Sequence, residues 1–123
     1  MKQNPNRIDR LAICLLLLLA TAPATAGTYE VTAADWSRPR SADMVTSLPG
    51  VAEAVREWHA LEQRDGNDAG VILLRHGTSE ESSVWAAELK DWLIALGLPG
   101  ERVRLEMGGV DNDVIELDVR SRR

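Results

Sequence analysis

The first 26 residues decide how much of this chain has to fold into a domain. They carry a basic head, then an almost purely apolar run over residues 11–20, and then the small residues Ala24-Thr25-Ala26. The head contains Lys2, Arg7 and Arg10. This order is typical of a secretory signal peptide cleaved after Ala26, because the apolar run is too short to span a membrane. Residues 27–123 are then expected to form one small domain with a single core. The alternative is an uncleaved leader that anchors the chain in a membrane.

The part of the chain after the leader is acidic and has no cysteine. Three of the 14 basic and one of the 19 acidic residues lie in the leader, so residues 27–123 hold 11 basic and 18 acidic residues, a net charge of −7. That balance argues against a general nucleic-acid binder, which needs a basic face for phosphates. The single cysteine, Cys14, lies in the leader, so the domain is expected to have no disulfide. Its stability must come from packing, with a large contribution from the four tryptophans.

Apolar spacing in the first half predicts a strand, a helix and a second strand. Residues 28–32 have the β-branched and aromatic content of a strand, and the proline in residues 36–40 favours a bend. Ser47 is a plausible helix cap ahead of Pro49. Apolar residues then recur at three- and four-residue steps, at Val51, Ala54, Val55, Trp58 and Leu61. Residues 71–74 are continuously apolar, which predicts a central strand covered on both faces.

The second half predicts a helix and two further strands. Thr78 and Glu81 have the spacing of a capping box, and Gly97 is placed to end the helix. The apolar stripe between them consists of Trp85, Leu89, Trp92, Leu93 and Leu96. Two strands with one wet face follow: Val103, Leu105 and Met107 alternate with Arg102, Arg104 and Glu106, and Ile115, Leu117 and Val119 alternate with Glu116 and Asp118. The predicted class is α+β, a two-layer β-α-β-α-β-β sandwich with two helices on one face of a mixed sheet.

The tripeptide Arg75-His76-Gly77 at the end of an apolar strand resembles the signature of the histidine phosphatase superfamily. That resemblance implies that His76 attacks a phosphoryl group while Arg75 holds its oxygens. The chemistry also needs a second histidine downstream, but His59, the other histidine here, precedes the motif and is expected on an exposed helix face. No catalytic residue, metal site or cofactor is therefore predicted, because two histidines without cysteine do not supply a structural zinc site. Phosphohistidine chemistry remains the enzyme alternative.

A second resemblance covers more of the chain. Residues 91–103, Asp-Trp-Leu-Ile-Ala-Leu-Gly-Leu-Pro-Gly-Glu-Arg-Val, resemble the second helix and following strand of the OmpA-like C-terminal domain, and the predicted element order extends this loosely over most of residues 27–123. The resemblance implies a mixed four-stranded sheet with the last strand inserted between the first two. It also implies a place in the bacterial cell envelope and binding to peptidoglycan.

The binding residues of that family do not carry over to this chain. His76 is present, but Thr78 and Ser79 lie where the family has an aspartate, and Trp85 falls where it has an arginine. Asn112 is followed by Asp113 where the family has arginines. An acidic residue facing a ligand carboxylate lowers affinity. The expected function is a periplasmic or secreted, non-catalytic binding or assembly module of the envelope. The alternative is weak peptidoglycan contact through a degenerate site of His76, Thr78 and Asn112.

A partner surface is predicted near the start of the domain. Trp36, Arg38 and Arg40 place an aromatic residue beside two arginines in a segment held by a proline. Tryptophan and arginine are the residues most enriched among interface hot spots. This density predicts contact with another envelope protein, and a membrane is expected to be contacted only by an uncleaved leader. The alternative is that Trp36 belongs to the core and that the arginines offset nearby acidic charge.

Overall fold

The computed structural model describes residues 27–122, so the predicted leader and its cleavage site lie outside the described residues. Within residues 27–122, four strands form one sheet, and four helices and one 3₁₀ turn connect them. The strands are β1 (Thr28–Thr32), β2 (Gly70–His76), β3 (Val103–Met107) and β4 (Val114–Ser121). The helices are α1 (Ala33–Trp36), α2 (Ala42–Ser47), α3 (Pro49–Asp65) and α4 (Glu80–Ala95), and the 3₁₀ turn spans Gly100–Arg102.

The sheet has the strand order β1-β4-β2-β3. Strand β4 runs antiparallel to both β1 and β2, whereas β2 and β3 are parallel and joined through α4. The predicted mixed four-stranded sheet is therefore confirmed, and the last strand lies between the first two.

One face of the sheet carries the core. Alternate residues of the strands pack against buried residues of α3 and α4, among them Val31, Ile72, Leu74, Ile115 and Leu117. This confirms the predicted two-layer sandwich with its helices on one face. The expectation that β2 is covered on both faces holds only in part. On the face opposite the core, Val71 is buried, whereas Leu73 and Arg75 are half-buried among side chains of the neighbouring strands.

The four tryptophans contribute to the core as predicted. Trp36 and Trp58 are buried, and Trp85 and Trp92 are half-buried against the same cluster. Trp36 ends α1, and neither α1 nor α2 was predicted from the sequence. Helix α1 has four residues and α2 has six. Such short helices have no room for an apolar period, so their signal is the cap alone. The hydroxyl of Ser41 supplies that cap for α2 by accepting from the N–H of Met44.

Two predicted caps were wrong by one residue, and one predicted helix end was confirmed. Ser47 is the last residue of α2, and Leu48 precedes Pro49 at the start of α3. The cap of α4 is Ser79, whose hydroxyl accepts from the N–H of Ser82 at 3.1 Å, in place of the predicted Thr78. At the other end of α4, the N–H groups of Gly97 and Leu98 donate to the carbonyls of Ile94 and Leu93 in a Schellman pattern, as predicted for Gly97.

Arg102 was expected on the wet face of a strand, and that expectation was wrong. It lies in the 3₁₀ turn and is 2% exposed. Its guanidinium donates to the carbonyl of Gly70 at 2.9 Å and pairs with Asp68. The indole N–H of Trp58 donates to the same carbonyl at 3.0 Å. A buried arginine therefore joins the start of β3 to the start of β2.

Candidate functional site

The turn between β2 and α4 brings together the residues of the predicted degenerate site. His76 ends β2 and is buried, Thr78 is exposed in the turn, and Asn112 reaches the turn from the loop between β3 and β4. The Asn112 side-chain oxygen accepts from the N–H of Ser79 at 2.9 Å. The structure thus places all three residues at one end of β2, and a shared binding site there stays a prediction.

The main chain at Gly77 is packed directly against Asn112. A Cβ atom at position 77 would lie 2.7 Å from the Cα of Asn112 and closer still to its side-chain oxygen. Real Cβ atoms do not approach other atoms so closely, so the turn needs glycine at this position. This contact joins loops that are 35 positions apart in the sequence, and nothing in the local pattern signals it.

Three hydrogen-bond donors at this turn already have partners. The N–H of Gly77 donates to the Ser82 hydroxyl at 2.8 Å, and the N–H of Ser79 is held by Asn112. The ring of His76 donates from Nδ1 to the carbonyl of Gly77 at 2.8 Å, since a carbonyl can only accept. The first turn of α4 also carries two carboxylates, Glu80 and Glu81. A ligand carboxylate or phosphate meets bonded donors and negative charge here, which is unfavourable for an anion site.

Arg75 and His76 lie on opposite faces of the sheet, because successive strand residues alternate. His76 faces the helices and is 4% exposed, whereas Arg75 lies on the open face. The Arg75 guanidinium is 3.1 Å from Glu116, 3.6 Å from Glu106 and 4.0 Å from Asp118. The two side chains do not converge on a common point where a phosphoryl group could sit. The residues of the phosphatase resemblance are therefore not arranged for that chemistry in this structure.

The open face of the sheet carries a charged row that the sequence analysis did not identify. The strand register aligns Glu30, Glu116, Arg75 and Glu106 across the four strands. Asp118 lies on the same face, two residues beyond Glu116 in β4. The hydrogen bond between the Arg120 guanidinium and the Asp118 carboxylate, 2.7 Å long, raises the pKa of Arg120. The sequence did contain a signal for this row. These charged residues alternate with the core residues along each strand, and alternate side chains share a face.

A shallow depression of about 250 Å³ borders this row, lined by Glu30, Gly109, Val110, Asp111, Val114 and Glu116. Its charged side chains are all carboxylates. No three His, Cys, Asp or Glu side chains in residues 27–122 are grouped so that they could hold a metal ion. The row contributes charge pairing within the sheet, with Arg75 at its centre.

The predicted partner surface of Trp36, Arg38 and Arg40 does not exist as a set of three exposed side chains. Trp36 is 1% exposed and lies in the core, so its assignment to the surface was wrong. The Arg40 guanidinium stacks 5.4 Å from the centre of the Trp36 ring, donates to the Trp36 carbonyl and pairs with Glu88 of α4. Arg38 is exposed and pairs with Asp35 three residues earlier. Arg40 therefore holds α1 against α4, which agrees with the alternative interpretation of this segment.

Two further residues that the resemblances concerned, Trp85 and His59, contact other side chains of the fold. Trp85, at the family's arginine position, packs against the core. His59 is exposed on α3, as predicted, and its ring meets that of Trp58 edge to face with centroids 5.0 Å apart. The helices formed by residues 27–122 are all too short or too polar to cross a membrane.

Comparison with known proteins assigns the chain to no family. No family model matches the sequence. No curated protein matches it either.

Proposed function

We propose that this chain is an exported, non-catalytic binding or assembly module of the bacterial cell envelope, built on an OmpA-like fold. The observation that carries the proposal is the sheet order β1-β4-β2-β3 behind a leader-like segment. This is the strand arrangement that the resemblance of residues 91–103 implies. Fold alone does not give function, and the bonded N–H groups of Gly77 and Ser79 argue against carrying over the family's ligand.

The surroundings of the β2–α4 turn support a module without peptidoglycan affinity. A diaminopimelate carboxylate needs a cation, and the nearest arginine in sequence, Arg75, is on the other face among three carboxylates. At the turn itself, Ser79 and Gly77 have no free N–H to offer. Weak contact through the degenerate site of His76, Thr78 and Asn112 is the second candidate, favoured by the convergence of these residues at one turn.

Export is tested on the whole chain expressed in a bacterial host. We expect intact-mass analysis of the envelope fraction to find a protein that begins at Gly27. A species that still begins at Met1 and resists carbonate extraction would show a membrane anchor instead.

Ligand binding is tested by sedimentation with purified peptidoglycan at physiological salt, beside an authentic OmpA-like domain. We expect the authentic domain to sediment and this protein to stay in the supernatant. Asn112→Ala is the matched variant, because Asn112 belongs to the degenerate site and its side chain bonds only the turn. Comparable sedimentation of the natural protein, reduced by added diaminopimelate and by Asn112→Ala, would overturn the proposal in favour of the degenerate site.

A further inference from the structure

The two edge strands of the sheet, β1 and β3, differ in what lies beside their main chains. The N–H of Val119 donates to the carbonyl of Gly27, which turns the odd-numbered residues of β1 toward β4. The N–H and C=O groups of Glu30 therefore face the outer edge. The start of α3 lies against them, since a Cβ on Gly50 would be 2.9 Å from the Glu30 carbonyl carbon. The β1 edge is covered.

The β3 edge is open. The N–H of Gly108 donates to the carbonyl of His76 at 2.7 Å, so in the same register the main-chain groups of Arg104 and Glu106 face β2. Those of Leu105 and Met107 face outward. All residues from 104 to 107 are exposed, with Leu105 at 40% and Met107 at 63%. Exposed apolar side chains on an unpaired edge are a template for another strand.

We propose that the β3 edge binds a second copy of this chain. The two β3 strands pair antiparallel about a two-fold axis at Leu105. The Leu105 N–H of each copy then donates to the Leu105 carbonyl of the other, and the Met107 N–H donates to the Val103 carbonyl. The N–H of Val103 needs no partner, because it already donates to Gly100 within the 3₁₀ turn.

Charge selects this register among the possible ones. Pairing about Leu105 places Arg104 directly opposite Glu106 of the other copy, twice, on the open face of the sheet. These are non-hydrogen-bonded pairs, in which facing side chains are closest. Moving the axis by one residue in either direction would place Arg104 opposite Arg104, or Glu106 opposite Glu106. On the helical face, the proposed register brings the two exposed Leu105 side chains together.

The β1 edge does not offer the same association. Pairing centred on β1 would bring Glu30 opposite Glu30, and the start of α3 already occupies that edge. A contact of one short strand is small, so the dimer forms weakly and depends on protein concentration. Self-association requires neither export nor an envelope partner, so its failure and that of the proposed function are distinguishable.

The experiment is analytical ultracentrifugation of the protein purified from cells that express the whole chain, over a wide range of concentration. We expect reversible dimers, weakened about tenfold or more by Arg104→Glu and also by Glu106→Lys, because each places like charges opposite one another. An equimolar mixture of the two variants should associate again, since a mixed pair restores opposite charges at both positions. Arg122→Glu, which changes net charge as Arg104→Glu does at an exposed site outside β3, should dimerise normally.

Arg104→Glu lies at an exposed position and is expected to melt as the natural protein does. Glu106→Lys also replaces the ion pair with Arg75 by two cations, so its melting temperature is measured beside its association. Glu106→Lys reduces the net negative charge of the protein. If association depended only on the repulsion between two acidic molecules, this variant would dimerise more tightly, whereas the proposal expects it to dimerise more weakly. A natural protein that stays monomeric at every concentration overturns the proposal. So does a mixture of the variants that remains monomeric, or an Arg104→Glu protein that associates as tightly as Arg122→Glu.

Discussion

At the scale of single residues, Gly77 is a position where the packing leaves no room for a side chain. A methyl group there would press on Asn112, whose own hydrogen bond to Ser79 holds it in place. We expect Gly77→Ala to lower the free energy of unfolding by about 1–3 kcal/mol, the usual effect of overpacking. Urea denaturation measures it.

Gly100 supplies the control for that substitution. A Cβ at Gly100 would meet only the side chain of Ile94, at 3.6 Å, which is ordinary contact. Gly100→Ala should therefore change stability by no more than about 0.5 kcal/mol. Equal effects of the two substitutions would show that the contact with Asn112 does not constrain the turn.

At the scale of elements, Arg102 fastens two parallel strands at their beginnings. Its guanidinium is buried against the Gly70 carbonyl, whereas the carboxylate of its ion-pair partner, Asp68, is 80% exposed. Arg102→Met keeps an apolar stem and removes the charged donor, so we expect a loss of about 1.5–3 kcal/mol. Asp68→Asn should lose less than about 1 kcal/mol, because an exposed ion pair contributes little. Thermal or urea unfolding of both variants tests the order, and a larger loss for Asp68→Asn would contradict it.

The same elements show what the sequence could predict about the fold. Helices α3 and α4 are long enough for an apolar period, and β4 alternates cleanly, so their types and order were predictable. Helices α1 and α2 are too short for that signal. Arg102 reads as one more polar residue in an alternating strand, and only the tertiary contact with Gly70 shows that it is buried.

The members of the candidate site, His76, Thr78 and Asn112, came from the family pattern, and their binding of a ligand stays a prediction. The state of the turn could not be predicted from the sequence. Whether a turn is free to bind a ligand depends on where its N–H groups are satisfied, and the Ser82 and Asn112 oxygens that satisfy them come from other elements. The burial of Trp36 likewise depends on α4, whose Glu88 receives Arg40.

At the scale of the whole molecule, the pKa of Tyr29 is sensitive to the contact between the sheet and the helical layer. It is the single tyrosine of the chain, and it lies in β1 beside Glu53 and Glu57 of α3. Burial, and then the charges of Glu57 and Glu53, raise the pKa of Tyr29 above its usual 10.0. The folded protein then keeps its phenolic proton where the unfolded chain has lost it. Stability from this source is complete below pH 10.0 and is lost as the pH rises through the higher folded-state pKa.

Titration of tyrosinate absorbance measures this shift without interference from another tyrosine. We expect the native protein to titrate above pH 10.0, and Glu57→Gln to bring the midpoint down. As the pH rises from neutral to alkaline, the free energy of unfolding should fall less in Tyr29→Phe than in the natural protein. A native midpoint at or below the usual value would contradict the predicted shift.

The contact of Gly50 with the Glu30 main chain limits the number of sheet edges that can pair with another copy. Because the start of α3 covers the β1 edge, β3 is the open edge strand in residues 27–122. Edge pairing therefore ends with two copies and does not propagate into a fibre. A side chain at position 50 would push the start of α3 away from the Glu30 main chain and remove that cover. Glu30 would still lie opposite Glu30 of a second copy, so close packing and like charge both limit the assembly to a pair.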